Sequence, residues 1–99
     1  MSYQVRFTQG AKDDLVRLYN FLVEQDLEAA RKALDAIRKG LELLQDFPFT
    51  CRKALPDNPL LREMIIPFGV SGYLVLFDIE DYKTVTILAV RHQREDDFY

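Results

Sequence analysis

The sequence is poor in the residues that most often carry chemistry. It has a single cysteine, Cys51, and a single histidine, His92, among 99 residues. One cysteine excludes an internal disulfide and any cysteine-based zinc site, and one cysteine with one histidine is too few for the usual transition-metal centres. Glycine and proline number only four each, which excludes collagen-like and low-complexity chains. The longest apolar runs, such as "YLVLF", fall far below the roughly 20 residues of a membrane helix, so no membrane association is expected. No basic-then-apolar leader opens the chain, and a cytoplasmic location is the expectation. There is no GxxxxGK[ST] phosphate loop, GxSxG elbow or HExxH pair. Neither a metal nor a cofactor is therefore expected.

Positive charge is not in excess either. The net charge is −3, and acidic residues outnumber basic ones on both sides of position 51. Nucleic-acid modules usually carry clustered Lys and Arg, so direct nucleic-acid binding loses weight. What remains, 48% hydrophobic and 29% charged, is the composition of a globular chain. A chain of this length supports one core, and a single domain over residues 1–99 is expected.

Tyr3, Val5 and Phe7 alternate with Gln4 and Arg6, which predicts a half-buried strand over 2–7. Thr8 stands where an N-cap would, and Ala11, Leu15, Leu18 and Leu22 follow at helical spacing to about Glu24. Asp26 caps a second predicted helix that runs to about Asp46. Its polar face carries Glu28, Arg31, Lys32, Asp35, Arg38, Lys39 and Glu42, and its apolar face Ala30, Ala33, Leu34, Ile37, Leu41 and Leu44. Gly40 inside that helix is unfavourable by roughly 1 kcal/mol relative to Ala, which suggests close packing against a neighbour.

Pro48, Pro56 and Pro59 predict an irregular loop through "FPFTCRKALPDNP". Three strands then follow in "LLREMII", "GYLVLFDI" and "KTVTILAVRH", joined by short connections that imply an antiparallel meander. In the last of them, simple alternation places Val85, Ile87 and Ala89 on one face and Leu88 and Val90 on the other. The order β-α-α-β-β-β predicts an α+β fold, a twisted antiparallel sheet with an N-terminal helical hairpin packed on one face.

Two constellations stand out. The basic residues Arg52, Lys53, Arg62, Arg91 and Arg94, together with His92 and Glu63, are conceivable parts of a metal-free RNA-cleaving site. Such a site needs a base for the 2′-hydroxyl, an acid for the leaving oxygen and cations for the phosphorane, and Arg62, Arg91 and His92 are the set that would supply them. The simpler reading is that these side chains are solvated at strand ends and in a loop. The second constellation is the apolar arc of the first helix, which spans roughly 200° on a helical wheel. Either the second helix and the sheet cover all of it, or the edge formed by Val16, Tyr19 and Val23 awaits a partner chain.

Taken in order, "YQVRFTQGAKDDLVRLYNFL", "AIRKGLELLQDFP", Arg52, "LLREM" and "VTILAVRHQRED" resemble the ParE branch of the RelE/ParE toxin superfamily over about residues 3 to 96. The resemblance implies a toxin of a type II toxin–antitoxin module, associated with growth arrest and plasmid stabilisation. It would be held inactive by a ParD-like antitoxin in a hetero-oligomer, and would poison DNA gyrase without being an enzyme itself. The RelE branch implies the alternative, ribosome-dependent cleavage of messenger RNA, with Arg52, Lys53 and Arg62 matching its basic residues and His92 its C-terminal tyrosine or histidine. The last strand has no tyrosine where that branch expects one, and the acidic balance suits ribosomal RNA poorly, so gyrase comes first. On that reading Arg91, His92, Arg94, Phe98 and Tyr99 are the expected target contacts, and Val16, Tyr19 and Val23 the antitoxin contacts.

Overall fold

The computed structural model describes residues 2–69 and 71–93. A short strand, β1 (Gln4–Phe7), leads directly into α1 (Gln9–Gln25). Thr8 is the expected N-cap: it is extended, and its hydroxyl accepts from the Ala11 N–H at 3.1 Å. The hairpin junction is a single residue, Asp26. Its N–H closes α1 on Leu22 O at 2.7 Å, while its carboxylate accepts from the Glu28 N–H at 3.0 Å and opens α2 (Leu27–Asp46). One residue thus ends one helix with its backbone N–H and starts the next with its side chain, and the two pack antiparallel.

After a one-turn 3₁₀ helix at Pro48–Thr50 come β2 (Arg52–Leu55), β3 (Asn58–Phe68), β4 (Ser71–Ile79) and β5 (Thr84–His92). The sheet order is β1-β5-β4-β3-β2. The predicted meander is antiparallel throughout β3, β4 and β5. Two features go beyond it. β1 joins the far edge parallel to β5, in register from Gln4 with Thr84 to Phe7 with Ile87, so the sheet is mixed. The stretch expected to be irregular also contributes β2, an exposed four-residue edge strand paired antiparallel with β3. Proline restricts a strand only where its missing N–H is needed, and no proline falls within Arg52–Leu55.

One face of the sheet carries the core. Tyr73, Val75, Phe77 and Ile79 of β4 are almost fully buried with Val85, Ile87 and Val90 of β5 and Met64 and Ile66 of β3. α1 lies on the β5 side of this face and α2 on the β3 side. From α2, Ala30, Ala33, Ile37 and Leu44 are buried as the periodicity predicts, whereas Leu34 is 46% exposed. Each large side chain taken from water here contributes about 1.5–3 kcal/mol.

Gly40 is where α2 approaches the sheet. A Cβ there would lie 2.8 Å from Ile66 Cδ1 and 3.3 Å from Met64 Cε. Gly40→Val is expected to destabilise the fold by about 2 kcal/mol, because both Ile66 and Met64 must move out of a packed core. Chemical denaturation checks this, with a lower midpoint at unchanged m-value as the expected result.

Candidate functional site

The site begins where β1 ends. β5 continues past its parallel partner, and from Ile87 onward α1 supplies the outer hydrogen bonds that a strand would have made. The Thr8 N–H donates to Ile87 O at 3.0 Å, and the Thr8 hydroxyl donates to Leu88 O at 3.2 Å. Two turns further along α1, the Asp14 carboxylate accepts from the Val90 N–H at 2.9 Å. Asp14 is only 3% exposed and is the one buried charged side chain among the described residues. Its other oxygen lies 3.6 Å from the Arg17 guanidinium. A buried carboxylate persists where hydrogen bonds and a cation compensate it, and Asp14 has both.

These bonds hold a β-bulge. Phe77 opposes Ile87 and Leu76 opposes Ala89, so Leu88 is the extra residue. The insertion reverses the faces of everything after it. Val90 opposes Val75 and His92 opposes Tyr73 on the helix-covered face, while Ala89 and Arg91 oppose Leu76 and Leu74 on the other. The alternation expected from sequence, with Ala89 beside Val85 and Ile87, is corrected by this one residue.

His92 is therefore turned towards α1, at the floor of a cleft of about 830 Å³ between the C-terminal half of that helix and the β3–β4 turn. Its Nε2 is 2.9 Å from Ser71 Oγ. Its ring meets Tyr73 edge-on at 5.5 Å, and Tyr73 in turn packs against Phe68 at 6.0 Å. Burial pushes the Tyr73 hydroxyl above its ordinary pKa, so it stays a neutral donor at physiological pH.

The other candidates lie elsewhere. Arg62 is built into the backbone: Nε donates to Pro59 O at 2.6 Å, and one terminal nitrogen donates to Cys51 O at 2.8 Å and to Phe49 O at 3.2 Å. Its guanidinium also sits 5.2 Å from the Phe49 ring centre. It fastens the 3₁₀ turn to β3. Glu63 forms an ion pair with Arg52 at 2.7 Å, and Lys53 is exposed opposite Arg62. Cys51 is half-buried, and burial pushes its thiol up, away from the reactive thiolate.

Arg62 opposes Phe77 whereas His92 opposes Tyr73, four residues apart along β4, or about 13 Å. Arg91 projects from the opposite face, with a terminal nitrogen 3.3 Å from His92 O. Arg62, Arg91 and His92 are thus not brought together. Arg94, Phe98 and Tyr99 lie outside the described residues.

On α1, Val16 is 59% exposed and Val23 is exposed at its other end, while Tyr19 is half-buried beside Ala33, Leu34 and Ile37 of α2. The second helix therefore covers the middle of the expected edge and leaves its ends open. Sequence reasoning missed Asp14, Ser71 and Phe68, and placed Phe21 in the apolar arc of the first helix without assigning it to a cleft. For Asp14 a signal existed, since it falls three residues after Ala11 and four before Leu18, on the stripe that must be buried.

The comparisons with known proteins agree with this architecture. A solved structure described as a chromosomal ParDE TA system from P. aeruginosa superposes with a TM-score of 0.73, covering 92% of this chain and 96% of that one at 21% identity. Toxin RelE1 of Caulobacter vibrioides is 34% identical over 77 residues, 78% of this chain and 80% of that protein. The family model described as ParE toxin of type II toxin-antitoxin system, parDE, matches residues 5–97. With that match spanning nearly the whole sequence, the chain belongs to the ParE toxin family of type II toxin–antitoxin systems.

Proposed function

We propose that the protein is the toxin of a parDE-type module, neutralised by a ParD-like antitoxin, and that it arrests growth by binding DNA gyrase without cutting RNA itself. The observation that supports contact over catalysis is that, among the described residues, the set Arg62, Arg91 and His92 is dispersed. Metal-free RNA cleavage requires its base, acid and cations within hydrogen-bond reach of one phosphate. Here Arg62 is bonded to three backbone carbonyls at one end of the sheet, and Arg91 and His92 occupy opposite faces at the other. Purified protein added in parallel to gyrase supercoiling reactions and to a translating extract tests the reading. Gyrase-dependent DNA cleavage with intact messenger RNA is expected. Cleaved messenger RNA with untouched supercoiling would establish the second reading, ribosome-dependent cleavage, which the relative named Toxin RelE1 supports.

The antitoxin is expected to engage the hairpin where apolar side chains reach water, at Val16 and Val23. Because both are exposed, Val16→Asp with Val23→Asp leaves the core intact. The double variant is expected to bind antitoxin at least about tenfold more weakly, since an unpaired charge is costly in a dry interface. Calorimetric titration checks this, and unchanged affinity would remove that surface from the interface.

A further inference from the structure

We propose that the end of β5 has two pairing registers and that the Thr8 hydroxyl is the positioning group that latches the one observed. Its functional consequence rests on the target contact proposed above, because the register decides which of Arg91 and His92 stands on the helix-covered face.

A one-residue slip normally exchanges a buried face for a solvated one, which is what specifies the register of most strands. At the end of β5 the exchange changes little. Ala89 and Val90 are both buried, at 3% and 0% exposure, and Arg91 and His92 are both half-buried. With the bulge absorbed, Leu88 opposes Leu76, Ala89 opposes Val75, Val90 opposes Leu74 and Arg91 opposes Tyr73. One buried apolar residue then replaces another against the helices, and Arg91 takes the place of His92.

The surroundings of β5 leave the choice to one side chain. β1 ends at Phe7, opposite Ile87, so its pairing with β5 sets no register beyond that point. Asp14 serves both registers. Whichever residue opposes Val75 turns its N–H outward, so the carboxylate that accepts from Val90 would accept equally from Ala89.

Thr8 distinguishes the two. Successive carbonyls of a regular strand point to opposite sides. At the bulge two successive carbonyls reach one residue, since the Thr8 N–H donates to Ile87 O at 3.0 Å and its hydroxyl to Leu88 O at 3.2 Å. In the slipped register Leu88 O turns to β4, and only the first of these bonds survives. The hydroxyl therefore has two duties of different chemistry. It accepts from the Ala11 N–H at 3.1 Å as the N-cap of α1, and it donates to Leu88 as the latch. A carboxylate can do the first and not the second.

Thr8→Asp separates the two duties, and Thr8→Ser, which keeps both, is its control. Nuclear Overhauser contacts between α-protons across β4 and β5 report the register directly. The parent and Thr8→Ser are expected to show the contact of Val75 with Val90. Thr8→Asp is expected to show Val75 with Ala89 in at least about half of the molecules, with α-helical circular dichroism unchanged. The concentration that inhibits gyrase should rise in inverse proportion to the fraction left in the observed register, at least about twofold. Deleting Leu88 from Thr8→Asp should restore a single register and full potency, because the shortened strand keeps Ala89 to His92 on their observed faces with no bulge to absorb. A loss caused only by a weakened fold would not be repaired in this way. Thr8→Asp showing only Val75 with Val90 would overturn the latch, and a populated second register at unchanged potency would overturn the positioning role. The register is read with neither gyrase nor antitoxin present, so failure of the proposed function leaves that result standing.

Discussion

Asp14→Ala is expected to lower the melting temperature by roughly 10 to 20 °C, a large effect for one side chain on a surface helix. The substitution removes the acceptor for the Val90 N–H, which is bonded at 2.9 Å in a buried setting, and leaves that donor with no route to water. An unsatisfied buried group costs about 1–3 kcal/mol, and loss of a charged acceptor lies at the upper end. In a domain of about 100 residues, each kcal/mol moves the midpoint by about 4–8 °C. The Arg17 guanidinium, 3.6 Å from the same carboxylate, loses its neighbour as well. Asp14→Asn should recover most of the stability, because the amide oxygen still accepts the bond. Hydrogen exchange at the Val90 amide isolates the local effect: it should accelerate sharply in the alanine variant and little in the asparagine one. An alanine variant that melts within about 2 °C of the parent would show that the bulge is held by something else.

The same residue marks where sequence patterning stops being informative. The helices were legible because their signals are local: Thr8 and Asp26 cap as their side-chain chemistry dictates, and the apolar stripe of α2 recurs every three or four residues. β3, β4 and β5 were legible because short connections force neighbours to pair antiparallel. The parallel pairing of β1 with β5 joins positions about 80 residues apart, and no local pattern encodes it. β2 was hidden because an exposed edge strand of four residues has no buried face to impose alternation. The bulge was hidden for the opposite reason. Val85 to Val90 is apolar or near-apolar on both faces, so inserting Leu88 breaks no visible pattern, yet it decides which side of the sheet receives His92.

Arg62 shows the same limit from the side of function. Its place in a run of basic residues suggested phosphate chemistry, and only the geometry reveals that three backbone carbonyls and the Phe49 ring already occupy it. Composition distinguishes a cation from an apolar residue. It does not distinguish a cation that reaches solvent from one that closes a turn.

Removing residues 94–99 is expected to abolish growth arrest, whereas His92→Ala should weaken it by no more than about tenfold. The truncation takes away Arg94, Phe98 and Tyr99 together, an arginine and two aromatics of the kind that dominate contact energies, and loss of such a group typically costs 30- to 1,000-fold in affinity. It keeps the bond from the Gln93 N–H to Gly72 O at 2.8 Å, the last of the ladder among the described residues, so β5 over Thr84–His92 keeps its pairing. His92→Ala removes one half-buried ring and its contacts with Ser71 and Tyr73, a loss felt first in the cleft and in thermal stability. An RNase makes the reverse demand, because deleting the proton-transfer group costs about 10²- to 10⁴-fold in rate. Growth on induction, messenger RNA integrity and gyrase-linked DNA breaks, measured for both variants beside the parent, separate the two. A His92→Ala protein that melts as the parent does, binds antitoxin, and leaves uncut a message that the parent cuts would overturn the gyrase reading and make His92 catalytic despite its distance from Arg62.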